Sequence, residues 1–285
     1  MKLNIFSYVT GYDTKIYERF AGSLFDTGFD GKLFLFVNKK DLTTLSKLDK
    51  SLLEKISIVK CPEYMIQSRH LSEDNDIKYR IHPQNFRYLL YLGFLQQYKQ
   101  PRYEYSFFCD ARDLLFQKNP NEYHIDNDID MLIFQEDIVI KECIYNTAFM
   151  QHVKDQIPDG IYDYINKKAI CSGTILVKNE ALNKFIVKFC EYMVDNNLDN
   201  SSIITDQGLH TYLVYNNLYD CNYKIITNEE NFVKTIAMMD HSQLQIIDNQ
   251  IADKNGVVPY IVHQYDRLDR DTIQKLSCKS KYDLT

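Results

Sequence analysis

YSFFCDARDLLFQKNP, residues 105–120, passes without a break from an apolar run into two carboxylates. Residues 105–109 are too few for a helix and lack a regular polar alternation, so they read as a strand covered on both faces. Such a strand belongs near the centre of a mostly parallel α/β sheet. Asp110 and Asp113 then stand just past its carboxyl end, where open α/β sheets take their ligands. Side chains alternate along a straight strand, so the two acids converge only if the chain turns at Asp110. Converging carboxylates repel each other, and a hard divalent cation is their natural filling; it would also hold phosphate oxygens. Taken alone, the segment reads equally well as a turn, with Asp110 as its cap and Asp113 paired to Arg112 at the surface.

The flanking sequence supplies the rest of an α/β alternation. Residues 3–9, 32–37 and 55–61 read as strands, and 17–28 as an amphipathic helix ending near Gly28. Residues 82–99 read as a helix with Pro83 in its first turn and Phe86, Leu89, Leu90, Phe94 and Leu95 as its apolar face. Beyond the acids, 128–136 and 169–179 read as strands, the second passing through Ser172 and Gly173. A helix follows with Leu182, Phe185, Ile186, Phe189, Cys190 and Met193 on one side. Residues 205–217 form the next helix, with Thr205 or Asp206 as its expected cap. Short strands are expected at YKIIT (223–227) and LQIID (244–248), and VVPYIVHQYDR (257–267) closes the fold. No repeat, linker or internal boundary interrupts the 285 residues, so a single domain over 1–285 is expected.

Bulk properties narrow the class. The chain is 45% apolar with a net charge of -6, which supplies no general attraction for nucleic acid. Its seven cysteines contain no CxxC pair, so neither a zinc site nor a disulfide framework is expected, and reduced thiols point to a cytoplasmic protein. MKLNIFSYVTGYD does not read as a signal peptide. No run approaches the roughly 18 apolar residues of a transmembrane helix. Attachment at the inner face of a membrane stays open, and residues 267–285 read as a mixed-charge tail. No GxGxxG follows the first strand and no GxxxxGK occurs, which disfavours dinucleotide oxidoreductases and P-loop enzymes.

With LLFQKNP behind it, the acidic segment resembles the metal-binding signature of the GT-A nucleotide-sugar glycosyltransferases. There an Asp-x-Asp at a strand end binds the metal of the donor diphosphate. Here the second acid comes one place later, as in a DxRD variant. The resemblance makes Asp110 and Asp113 metal ligands and leaves Arg112 either facing phosphate or, the favoured role, bracing the loop through an acid. VHQYDR (262–267) is similar to the C-terminal segment whose histidine completes that site, which makes His263 the third ligand; alone it reads as a packed strand-end histidine. Gln264, Asp266 and Arg267 would orient it or touch phosphate.

Other segments follow in the superfamily's order. SYVTGYD (7–13) resembles the nucleotide segment, with Thr10 reading the base and Tyr12 stacking on it. CSGTILVKN (171–179) resembles the Ser-Gly strand, with Gly173 permitting close approach and Ser172 or Thr174 binding sugar hydroxyls. TDQGL (205–209) resembles the Asp-Gln helix start of retaining members and makes Asp206 and Gln207, together with Arg87, catalytic candidates; alone, Asp206 reads as a cap. Arg87 is the expected phosphate ligand or partner of Asp110, ahead of Arg80, His82 and Arg69. The resemblance implies a GT-A fold, with about 1–135 for nucleotide sugar and metal and about 136–266 for the acceptor. It implies Mn²⁺ or Mg²⁺, a nucleotide-sugar donor (a UDP-sugar by preference) and transfer to a glycan or glycolipid hydroxyl, with retention favoured over inversion. The Lys-, Asn-, Ile- and Tyr-rich composition suits a bacterium making surface polysaccharide. A non-catalytic nucleotide-sugar or carbohydrate binder of the same fold, or a nucleotidyltransferase, are the competing readings.

Overall fold

The computed structural model describes residues 1–61, 82–98, 103–160, 162–199 and 204–279; Arg69 and Arg80 lie outside these ranges. Its centre is a seven-stranded sheet. The first half of the chain contributes β1 (Leu3–Tyr8), α1 (Thr14–Asp26), β2 (Lys32–Val37), α2 (Lys39–Leu45), α3 (Lys50–Leu53), β3 (Ile56–Lys60), α4 (Pro83–Gln97) and β4 (Tyr105–Cys109). The acidic segment leads into β5 (Leu114–Phe116). Then come β6 (Met131–Val139), α5 (Ile144–Gln156), β7 (Lys168–Lys178), α6 (Leu182–Asp195), α7 (Asp206–Tyr215) and β8 (Tyr223–Ile226). The sheet order is β3-β2-β1-β4-β7-β6-β8, which puts β4 in the middle, as its apolar run requires. All neighbours pair in parallel except β7, which runs antiparallel to both β4 and β6.

Adjacent residues of the central strands enter different cores. Phe6, Phe34 and Phe108 join Tyr88, Tyr91, Phe185 and Phe189 on the side of α4 and α6. Ile5, Leu33 and Phe107 join Tyr17, Phe20 and Leu24 on the side of α1. Burial on both faces is why these strands show no alternation.

The buried residues of α6 are those expected from their spacing. The buried face of α4 differs from expectation. Tyr88 and Tyr91 enter the core, whereas Leu89 and Leu90 are only partly buried. A tyrosine buries a large ring if its hydroxyl finds a partner; the Tyr88 ring stacks on Phe189 with centroids 4.0 Å apart, and its hydroxyl donates to the Ser172 carbonyl at 3.0 Å. The same helix buries Asn85 and Arg87.

Thr205 stands at the N-cap of α7 as expected but without a side-chain cap bond, and Asp206 Oδ1 accepts the Gln207 amide at 2.9 Å. The Asn85 side-chain oxygen accepts the amides of Thr205 at 2.8 Å and Asp206 at 3.2 Å. Part of the cap thus comes from another helix, and Asp206 Oδ2 is left for other partners. Asn85→Ala should lower stability by about 1–2 kcal/mol in urea unfolding, and Asn85→Asp, which keeps the acceptor, by less. Equal losses would argue against capping.

His210 on α7 is fully buried, with Nδ1 2.6 Å from the Tyr219 hydroxyl. Burial, helped by the charge of Arg87, pushes its pKa down to about 3 from 6.5. The unfolded chain therefore binds a proton below pH 6.5 that the folded chain refuses. Stability is intact above 6.5 and should fall with a slope approaching about 1.4 kcal/mol per pH unit towards pH 3. His210→Gln should flatten that acid limb in thermal melts from pH 7 to 4; an unchanged slope would exclude His210 as its source.

Short strands at 114–116 and 233–235 escaped sequence reading. β9 (Val233–Thr235), β12 (Ile261–His263) and β5 form a second sheet in the order β5-β12-β9. A hairpin of β10 (Leu244–Ile247) and β11 (Gln250–Asp253) forms a separate two-stranded sheet whose Ile251 packs with Leu115 and Val262, and α8 (Arg270–Lys279) occupies much of the expected tail. Among the described residues, no helix is long and apolar enough to cross a membrane.

Candidate active site

The chain leaves the central sheet at Asp110, whose amide donates to the Gly173 carbonyl of β7 at 2.8 Å. It turns through Ala111 and Arg112 and re-enters extended structure as β5. Strand β12 pairs antiparallel with β5, with His263 opposite Leu114, and the Gln264 amide donates to the Asp113 carbonyl at 2.7 Å. This second sheet brings the C-terminal histidine to the acids. His263 Nε2 lies 3.7 Å from Asp110 Oδ2 and 3.6 Å from Asp113 Oδ1. One ligand atom from each of the three lies within 4.8 Å of the others.

The electrostatics suit a positive charge at this point. Burial and the neighbouring Asp110 lift the Asp113 pKa, against the pull of His263. Burial also opposes ionisation of Asp110, but Arg87 and His263 override it and hold its carboxyl well below the usual range. Burial alone would keep His263 neutral; Cys171 and the two acids instead raise its pKa well above the ordinary value. His263 is 1% exposed, and its Nε2 has no hydrogen-bond partner among the described residues. Gly173 is needed beside it, because a Cβ there would stand 2.6 Å from both Asp110 Oδ2 and His263 Cε1.

No protein-family profile matches the sequence, and no curated protein matches it. Solved structures do. The galactosyltransferase LgtC, in complex with donor and acceptor sugar analogues, superposes with a TM-score of 0.53 at 12% identity, over 98% of this chain and 96% of that chain. An active-site glutamine-to-glutamate variant of LgtC gives a TM-score of 0.52 at 13% identity, over 96% and 95%. This chain has the GT-A fold.

In this GT-A framework, Arg87 connects the Asp110–Asp113–His263 cluster to α7. Its guanidinium donates to Asp110 Oδ1, to Asp206 Oδ2 at 2.6 Å and to the Ser172 carbonyl at 3.0 Å. Asp206 is 1% exposed and also accepts from Ser172 Oγ at 3.2 Å and from the Gln207 amide at 2.9 Å. Gln207 reaches the other way. Its Nε2 donates to Glu136 Oε1 at 3.1 Å and to Asn146 Oδ1 at 2.6 Å.

Arg112 pairs with Asp113 at 3.3 Å and Asp266 at 3.2 Å, and it also lines two adjoining cavities. Asp266 also pairs with Arg267 at 2.5 Å. His82 caps α4, accepting the Gln84 amide at Nδ1. Thr174 is fully buried and does not line the cavity.

A cavity of about 340 Å³ is lined by the expected residues Arg87, Asp110, Arg112, Asp113, Ser172, Gly173, Asp206, Gln207, His263 and Gln264. Thr10 and Tyr12 do not line it. They line an adjoining cavity of about 220 Å³ together with Arg87, Asp110, Arg112 and Asp113, so the acids stand where the two spaces meet. The loop carrying Thr10 is pinned by Asp41, which accepts the amides of Gly11 at 2.8 Å and Asn38 at 3.0 Å.

Asp41, Asn85, Glu136, Asn146 and Cys171 were not singled out from sequence. Glu136 left only a weak signal, as an acid just beyond the apolar run 131–134 of β6. Cys171, whose Sγ lies 3.5 Å from His263 Nδ1, left none beyond its strand.

Proposed function

We propose that this protein is a metal-dependent glycosyltransferase that moves a sugar from a nucleoside diphosphate sugar to a hydroxyl of a glycan or glycoconjugate. The observation that carries this reading is the Asp110–Asp113–His263 cluster, with an unpartnered buried Nε2, at the junction of two cavities on a GT-A fold. Two carboxylates and an imidazole suit Mn²⁺ better than Mg²⁺. Those three side chains would hold the cation, which when bound would neutralise the diphosphate as it departs.

The protein's own groups then divide the work. The smaller cavity, with Thr10 and Tyr12, takes the nucleoside of a UDP-sugar. The larger takes the sugar and the acceptor, consistent with the donor and acceptor sugar analogues bound to LgtC. Arg87 fixes the rotamer of Asp110 and couples it to α7. Transfer with retention is the reading we favour. An inverting enzyme needs a carboxylate free to deprotonate the acceptor hydroxyl. Every acid lining the larger cavity is already engaged: Asp110 and Asp113 at the cluster, Asp206 behind Arg87, and Glu136 with two amides. We place the reaction in bacterial surface-polysaccharide synthesis on the cytoplasmic side.

The test is a panel of nucleotide sugars incubated with Mn²⁺, with Mg²⁺ and with EDTA, followed by NMR of the released or transferred anomer. Mn²⁺-dependent release of one sugar with its anomeric configuration kept is expected. Turnover undiminished in EDTA would sink the metal reading; binding without turnover would mark a non-catalytic relative.

A further inference from the structure

Glu136 occupies an inward position of β6, two residues beyond Phe134, and is only 3% exposed. Its hydrogen-bonding neighbours are amides. Asn146, from α5, donates through Nδ2 to Oε2 at 3.2 Å, and Gln207 donates through Nε2 to Oε1 at 3.1 Å. Gln207 Nε2 also donates to Asn146 Oδ1 at 2.6 Å, which closes a three-membered ring of contacts. An ionised carboxylate only accepts. Each Glu136 oxygen faces an amide nitrogen, Asn146 Nδ2 at one and Gln207 Nε2 at the other, and this sets which end of each amide faces it. Glu136 turns Asn146 so that its oxygen faces Gln207, and both N–H bonds of Gln207 are then used. The Gln207 oxygen must point the opposite way. Among the described residues no hydrogen bond to it is found, and Gln207 lines the larger cavity beside Asp206, Gly173 and His263.

We propose that Glu136 and Asn146 are positioning residues that aim the Gln207 carbonyl oxygen at the reacting sugar. The negative end of the amide dipole then faces the positive charge that develops at the anomeric carbon as its bond to the diphosphate breaks. The dipole is set before substrate arrives and needs no reorganisation during the reaction. This inference rests on the glycosyltransferase reading of the site.

Glu136→Gln tests it with little change of shape. The new amide can present hydrogens where the carboxylate presented oxygens, so Gln207 is free to flip. We expect kcat to fall on the order of tenfold to a hundredfold, with donor KM and the Kd for nucleoside diphosphate and Mn²⁺ within about threefold of wild type. We also expect the side-chain amide resonances of Gln207, assigned by their loss in Gln207→Ala, to shift in the ¹⁵N-correlated spectrum. Unchanged kcat, or kcat and KM moving by the same factor, overturns the proposal. If wild-type protein turns over no nucleotide sugar, the glycosyltransferase reading fails. The spectrum still decides the aiming of Gln207: a shift supports it and an unmoved pair overturns it. Asn146→Ala, which removes the acceptor that Gln207 Nε2 uses and the Nδ2 donor to Glu136, carries the same comparison if Glu136→Gln does not fold.

Discussion

Asp113→Asn should abolish Mn²⁺-dependent turnover while leaving the protein as stable as before, or more so, in EDTA. The two halves of this result have one cause. Asp113 is buried beside a second carboxylate, and its pKa is raised in the fold. A carboxyl whose folded pKa exceeds its unfolded value favours folding only below the unfolded pKa. As pH rises through the folded pKa that contribution is lost, and above it the ionised side chain is a cost. The neutral amide removes the cost and with it the anionic ligand. Loss of one preorganised electrostatic contact is on the order of a hundredfold to a thousandfold in kcat. In thermal melts, wild-type protein should gain about 2.7 kcal/mol when Mn²⁺ is present at a hundred times its Kd, and the variant should gain far less. His263→Ala should lose the Mn²⁺ response in the same way. A wild-type melting temperature indifferent to Mn²⁺ would count decisively against the site.

Arg87→Met should be the most destabilising single change in the cluster, by about 3–5 kcal/mol. Arg87 is 5% exposed and neutralises Asp110 and Asp206 together. Removing it leaves Asp206 as a buried anion without a counter-ion. That is a large part of the whole stability of an ordinary domain. Arg87→Lys should recover only part of the loss, because an ammonium cannot present the planar fork that reaches both acids and the Ser172 carbonyl. Adding Asp206→Asn to Arg87→Met should restore stability, since it removes the orphaned charge. The measurement is urea unfolding of the two singles and the double, read as a cycle. Strict additivity would mean that the two side chains do not act as a pair.

The sheet was readable because its central strands are covered on both faces. Tyr105 to Cys109, Leu33 to Val37 and Ile175 to Val177 therefore carry apolar residues without alternation. The buried face of α6 was readable because one side of it is packed and the other solvated. Helix α4 was harder: it is wedged between the sheet and α6, and it buries tyrosines, an asparagine and an arginine that a pattern of aliphatic residues does not reveal. Three-residue strands such as β5 and β9 fall below any useful period, and their pairing cannot be inferred locally.

The sequence alone determined an α/β chain with a central strand ending in two acids, together with the residues from which a site would be drawn. Local hydrophobic periodicity and residue chemistry are enough for that, since they act over a few residues. Only the tertiary structure decided how those residues meet. Pairing of β12 with β5 sets His263 against Asp113, Asn85 caps a helix far along the chain, and Glu136 turns the Gln207 amide. These contacts depend on the register of strands and the docking of helices across the core. They come from the burial of the whole chain and leave no period or motif at the positions they join.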